Sequence, residues 1–227
     1  MSVLVKICGL KTSQALDVAR RGRKEDEADQ IGAGLERHVG VEAARALGKR
    51  VRGRAQKVAL SVDAGDDELA ASIEALEPDL LQLHGKETPE RVVIVRARFG
   101  LPVMKALPIA ERSDLAAIRR YDAVADRLIF DARAELDATR PGGLGKRFDW
   151  RLLENVQSRV PFMLSGGLDA LNVVEALRIT AAPAVDVSSG VERAPGEKDP
   201  DKIRAFIAAA RAGATKVAAP DNAMSST

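Results

Sequence analysis

The only thiol of the chain, Cys8, closes the apolar run "VLVKI" and is followed at once by Gly9. A cysteine acts as nucleophile or base through its thiolate, and an unperturbed thiol, pKa about 8.5, needs a stabilising neighbour to ionise at neutral pH. The same punctuation recurs along the chain. "LLQLH" brings Gln82 and His84 to the end of a run ahead of Gly85, and "RLIFDA" places Asp131 likewise. "PFMLSGG" ends on Ser165, Gly166 and Gly167, and "AVDVSSG" carries Asp186, Ser188, Ser189 and Gly190. Lys105 lies within a further run, "PVMKAL". Carboxylic acids, imidazoles and thiols carry protons. Glycines and hydroxyls at a turn into a helix let backbone N–H groups close on an anion. Singly, each residue has a structural reading: a small core residue for the cysteine, a turn residue for an aspartate. Together on one face, they would form a site.

The elements that must position them alternate. Short β-rich runs occupy 3–7, 57–62, 80–84, 102–107, 127–132, 161–166 and 184–190. Amphipathic helical patterns lie between them, among them "SQALDVARR", "DELAASIEALE", "PERVVIVRARF", "SDLAAIRRYDAVA", "DWRLLENVQ", "DALNVVEALRI" and "PDKIRAFIAAARA". Several strand runs are apolar throughout, as strands covered on both faces are. Thr12-Ser13, Asp66-Asp67 and Ser113-Asp114 read as helix N-caps, Pro89 and Pro200 as first-turn residues, and Gly100 as a C-cap. An eighth strand is needed after the first helix, and 28–35, "ADQIGAGL", is its only candidate; Gly32 and Gly34 weaken it. The expected fold is α/β: a (βα)8 TIM barrel, a closed parallel sheet of eight strands with chemistry at their C-terminal ends. An open doubly wound sheet is the alternative, but no G-x-G-x-x-G follows the first strand. Residues 1–213 read as one barrel domain and 214–227 as a disordered tail.

Composition narrows the function. The 227 residues carry a net charge of +2, and aromatics make up only 3%, against a nucleic-acid stacking surface. One cysteine gives no internal disulfide framework and suits a reducing compartment. No apolar run approaches membrane-spanning length and "MSVLVKICGL" reads as a strand, so the expected location is cytoplasmic. "SGG" and "SSG" at neighbouring strand ends predict a phosphate site at Gly166, Gly167, Ser189 and Gly190. From the residues alone, the chain reads as a small barrel enzyme acting on a phosphorylated metabolite.

The motifs "KICGL", "QLHG", "FDA", "GGLGKRFDW", "PFMLSGGL" and "VDVSSGVERAPGEKDPDKI" together resemble the phosphoribosylanthranilate isomerase family, over most of residues 3 to 212. The resemblance implies a cofactor-independent Amadori rearrangement of N-(5-phosphoribosyl)anthranilate in tryptophan biosynthesis, with no metal. It implies Asp131 as general acid and Cys8 as general base, and sets Gln82, His84 and Asp186 beside the substrate. It also implies an arginine holding the anthranilate carboxylate, here Arg37. The expected partner is a small phosphorylated substrate, with no nucleic acid and no membrane, and the protein is expected as a monomer or homodimer.

Residues 21–36 depart from the family pattern: the charged run "RKEDE" (23–27) intrudes, and an apolar second strand and a serine ahead of Arg37 are missing. The stretch reads either as a divergent loop or as a pair of compensating frameshifts. The remaining alternatives are another phosphate-binding barrel, or a barrel impaired by that stretch. An indole-glycerol-phosphate synthase would pair a lysine such as Lys105 with a glutamate at the strand ends. A metal-dependent epimerase would need two histidines and two aspartates, and the chain has only His38 and His84.

Overall fold

The computed structural model describes residues 3–21, 33–35, 40–51, 53, 55–133 and 147–217, with backbone alone at 20–21, 33–35 and 215–217. It is a parallel α/β fold. The chain opens with β1 (Leu4–Cys8), α1 (Ser13–Arg21), β2 (Ala33–Leu35), α2 (Val41–Val51), β3 (Lys57–Ser61) and α3 (Asp66–Leu76). It continues through β4 (Leu80–Leu83), α4 (Pro89–Phe99), β5 (Val103–Ile109), a 3-10 turn and α5 (Ile118–Tyr121), and β6 (Arg127–Ala132). A 3-10 turn at Trp150–Leu153, β7 (Phe162–Leu164), α6 (Val173–Thr180), β8 (Ala184–Val187), a hairpin of β9 (Glu192–Ala194) and β10 (Glu197–Lys198), and α7 (Pro200–Val217) complete it.

The strands from β1 to β8 pair in parallel with their neighbours in chain order, and β8 returns to pair with β1. The expected weak strand forms only as Ala33–Leu35, paired on one side with Ile7 and Cys8 and on the other with β3. The rest of 28–35 lies outside the described residues, as does most of the departing stretch 21–36.

Side chains of a strand alternate between its two faces, and here both faces are buried. Leu4, Val58, Leu80, Met104, Ala106, Ile129, Met163 and Ala184 pack together inside the curled sheet. Val5, Ile7, Leu81, Leu83, Val103, Phe130 and Val185 point the other way, into the layer shared with the helices. The alternation decides what reaches the interior. Lys6 and Cys8 share the side of Leu4, Gln82 and His84 that of Leu80, Asp131 that of Ile129, Ser165 that of Met163, and Asp186 that of Ala184.

Helix α4 forms where the sequence predicts it. The Thr88 hydroxyl accepts from the Arg91 N–H at 3.3 Å, Pro89 occupies the first turn, and Gly100 ends the helix with φ 65°. Elsewhere local structure departs from prediction. "DWRLLENVQ" makes only the 3-10 turn Trp150–Leu153, because Glu154 leaves helical geometry at ψ 122° and Asn155 then turns left-handed at φ 57°. "SDLAAIRRYDAVA" splits into a 3-10 turn (Arg112–Ala117) and α5. Asp114 does not start that element; its carboxylate accepts from the Ala110 and Glu111 N–H groups, with Glu111 as the N-cap. Asp66 and Asp67 lie inside the first turn of α3 after Gly65, where acidic charge suits the helix dipole. Helix α7 continues through Thr215 to Val217, into the segment expected as tail; residues 218–227 lie outside the described residues.

Candidate active site

Cys8 is the last residue of β1 and is 6% exposed; Gly9, at φ 76°, turns the chain away behind it. Asp131 sits near the end of β6, 4% exposed. His84 follows β4; its N–H donates to the Ser61 carbonyl at 2.8 Å, and its Nε2 lies 3.2 Å from Asp131 Oδ2. The other Asp131 oxygen accepts from the Ala132 N–H at 2.9 Å. Gln82, two residues before His84 on the same face, is 1% exposed. Its Oε1 has no hydrogen-bond partner among the described residues.

Beneath Cys8 lies a buried cluster that the sequence reading missed. Lys6 is fully buried and is the cross-strand neighbour of Asp186 in the β1–β8 register. Lys6 Nζ donates to Asp186 Oδ1 at 2.7 Å, and the Ser165 hydroxyl donates to Asp186 Oδ2 at 3.2 Å. Burial pulls the Lys6 ammonium down, but Asp186, then Cys8, through charge and hydrogen bonding, hold it above the usual lysine range. Both oxygens of Asp186, expected beside the substrate, are thus engaged inside the protein. The missed signal was the i, i+2 spacing of Lys6 and Cys8, which puts both on one strand face.

The loops after β7 and β8 fit closely. Gly166 and Gly167 take φ 90° and 65°, and a Cβ on Gly166 would come within 2.6 Å of the Ala132 nitrogen. Ser189 and Gly190 lie in a 3-10 turn after β8, and a Cβ on Gly190 would overlap the Leu168 carbonyl oxygen. The β9–β10 hairpin, absent from the sequence reading, braces this turn. Lys198 Nζ donates to the Ser188 carbonyl at 3.0 Å and to Glu192 Oε1 at 2.7 Å, with the lysine side chain 3% exposed. The Asn172 side chain ties the neighbouring loop by donating to the Gly167 carbonyl at 2.9 Å.

Lys105 does not reach the interior. It points into the helix layer, where Nζ donates to the Leu83 and Gly85 carbonyls and to Glu87 Oε2 at 3.0 Å. Glu87 in turn accepts from the Asp63 and Gly85 N–H groups. The lysine and glutamate that a synthase would need therefore meet outside the sheet's interior. Burial pulls the Lys105 ammonium below its usual range despite Glu87. Arg37, the expected carboxylate ligand, lies outside the described residues.

Titratable side chains gathered at strand C-termini of a parallel α/β fold, beside glycine turns, are the arrangement of an α/β metabolic enzyme. The family model for N-(5'-phosphoribosyl)anthranilate isomerase matches residues 5–209. The N-(5'-phosphoribosyl)anthranilate isomerase of Rhodopseudomonas palustris (strain TIE-1) is 56% identical over 216 residues, covering 93% of this chain and 100% of the relative. The crystal structure of the Thermotoga maritima enzyme aligns at a TM-score of 0.80 and 29% identity, covering 92% of this chain and 99% of that one. A phosphoribosylanthranilate isomerase solved with reduced 1-(o-carboxyphenylamino)-1-deoxyribulose 5-phosphate aligns at 0.77 and 27% identity, with 92% and 99% covered. The chain belongs to the N-(5'-phosphoribosyl)anthranilate isomerase family. No helix among the described residues is long and apolar enough to cross a membrane.

Proposed function

We propose that this protein isomerises N-(5-phosphoribosyl)anthranilate to 1-(2-carboxyphenylamino)-1-deoxyribulose 5-phosphate in tryptophan biosynthesis, with Asp131 as acid and Cys8 as base. The observation that carries the reading is their placement. In a chain matched by the family model over 5–209, both residues stand buried at the C-terminal ends of β1 and β6. The strand pairing supports reading the fold as the (βα)8 TIM barrel, whose active sites lie at that end. β6, β7, β8 and β1 are successive neighbours, so acid and base approach one sugar from different sides.

The steps follow from the roles. Asp131 gives its proton to the furanose ring oxygen as the C1–O bond breaks, and the nitrogen lone pair forms the iminium. The Cys8 thiolate then takes the C2 proton, and the C2–H electrons neutralise the iminium to give an enolamine. Loss of the enol O–H proton and protonation at C1 give the ketone. His84, against Asp131 Oδ2, orients the acid. Gln82 offers an inward oxygen with no partner among the described residues, suited to a substrate hydroxyl or amine. Gly166, Gly167, Ser189 and Gly190 cradle the phosphate, and Asp186 supports Cys8 from below. Arg37 keeps its role as carboxylate ligand. A cytoplasmic location accords with the biosynthetic role.

Complementation of a tryptophan auxotroph lacking this isomerase step tests the reading. The wild-type gene restores growth and Cys8→Ala does not. Failure of well-expressed wild-type protein, or growth with Cys8→Ala, would overturn it.

A further inference from the structure

A fully buried lysine beside the candidate base needs an explanation. Lys6 and Cys8 project from the same face of β1, and the register sets Asp186 directly across from Lys6 on β8. The ammonium lies 2.7 Å from Asp186 Oδ1, on the strand face that carries the Cys8 sulfur two residues further on. Ser165 holds the second Asp186 oxygen at 3.2 Å, which fixes the carboxylate in place. Stability alone is a poor reason for this arrangement. A buried ion pair replaced by apolar residues of similar size is often neutral or stabilising.

We propose that Lys6, anchored by Asp186 and Ser165, is the charge-positioning residue that keeps the Cys8 sulfur in its thiolate form, ready to accept a proton. The proposal rests on the reading of Cys8 as base. A thiolate inside a low-dielectric interior is costly unless a cation meets it. Lys6 supplies that cation without touching the substrate. Asp186 is needed because a fully buried ammonium without a counter-charge sheds its proton, and a neutral amine would no longer stabilise the sulfur. The direction for Lys6, held above the usual lysine range with Cys8 among the causes, agrees with the geometry.

Among the described residues, the strands beside β1 bring no second cation against Cys8. On one side of β1, β2 contributes Ala33, Gly34 and Leu35, none of them titratable; on the other, β8 contributes Asp186. Across the interior, His84 and Asp131 face each other at 3.2 Å. Lys11, in the loop after β1, lies alongside Gly196 of the β9–β10 hairpin.

The chain's single cysteine makes the test direct, because thiolate ultraviolet absorbance reports Cys8 alone, with Cys8→Ser as blank. Wild type, Lys6→Met, Lys6→Arg and the double variant Lys6→Met/Asp186→Leu are titrated, each checked for fold by circular dichroism. The double variant leaves no lone buried charge if Lys6→Met alone fails to fold. Removing the cation raises the thiol midpoint by about one unit or more, tenfold in thiolate at a given pH below it. Lys6→Arg returns the midpoint toward wild type. In parallel, kcat of Lys6→Met falls about tenfold at neutral pH and recovers as pH rises through the new midpoint, with KM unchanged. A folded double variant that titrates with the wild-type midpoint would overturn the proposal. Because the titration needs no substrate, it reads Lys6 even if the isomerase reading fails in complementation.

Discussion

His84 Nε2 stands 3.2 Å from Asp131 Oδ2, joining the end of β4 to β6 across the interior. The other Asp131 oxygen accepts from the Ala132 N–H, so the carboxyl is held at both ends. Such a group is oriented before substrate arrives, and orientation is a large part of what a positioned acid contributes.

Asp131→Asn therefore lowers kcat by about 10²- to 10⁴-fold while KM changes little. His84→Asn, which loosens Asp131 without removing it, produces a smaller loss, on the order of tenfold to hundredfold. Steady-state kinetics on both variants checks the ranking. A KM effect alone in Asp131→Asn would contradict its role as acid.

The two glycine turns predict a different signature. Gly166→Ala forces a Cβ to within 2.6 Å of the Ala132 backbone nitrogen at φ 90°, and Gly190→Ala drives one into the Leu168 carbonyl. Backbone must move in both cases, at a cost of about 1–3 kcal/mol. If these turns cradle phosphate, inorganic phosphate binds more weakly to each folded variant, read by isothermal titration calorimetry. Unchanged phosphate affinity in a destabilised variant would make the glycines purely structural.

Lys198 and Glu192 brace the turn that carries Ser189 and Gly190. Lys198→Met leaves Glu192 largely buried without its cation, and breaking such a pair costs about 3–5 kcal/mol. The expected result is a lower melting temperature together with a KM raised more than kcat is lowered. Lys198→Arg, which keeps the charge, recovers part of both.

Acid sensitivity should trace to Glu87. Burial opposes its ionisation, but Lys105 and the Asp63 N–H hold its carboxyl below the usual glutamate range. A carboxyl lowered in the folded state adds stability above its unfolded value, about 4.3, and that stability is lost as pH falls through the folded value. Urea unfolding between about pH 5 and pH 3 will show a shallower pH dependence in Glu87→Gln than in wild type. The variant is also less stable at neutral pH, because Lys105 is left buried without its anion.

The order of the elements is legible in the chain itself, because hydrophobic period and end signals are local. Thr88, Pro89 and Gly100 bound α4 within a dozen residues of one another, and nothing distant contradicts them. Local punctuation likewise sets Cys8, His84, Asp131 and the two glycine turns at strand ends, since each strand stops at the same kind of signal. Which side of each strand faces in is settled by the folded arrangement alone. In a sheet buried on both faces the alternation of polarity is erased, as in β4, where Leu80, Leu81, Gln82 and Leu83 are all buried. Lys105 therefore reads as a residue of the strand ends, although it points into the helix layer. Lys6 reads as an interruption, although it meets Asp186 across 180 residues of sequence. That contact exists because β8 returns to pair with β1 in one register. A register is a property of two strands together, and it sets the lysine beneath the thiol.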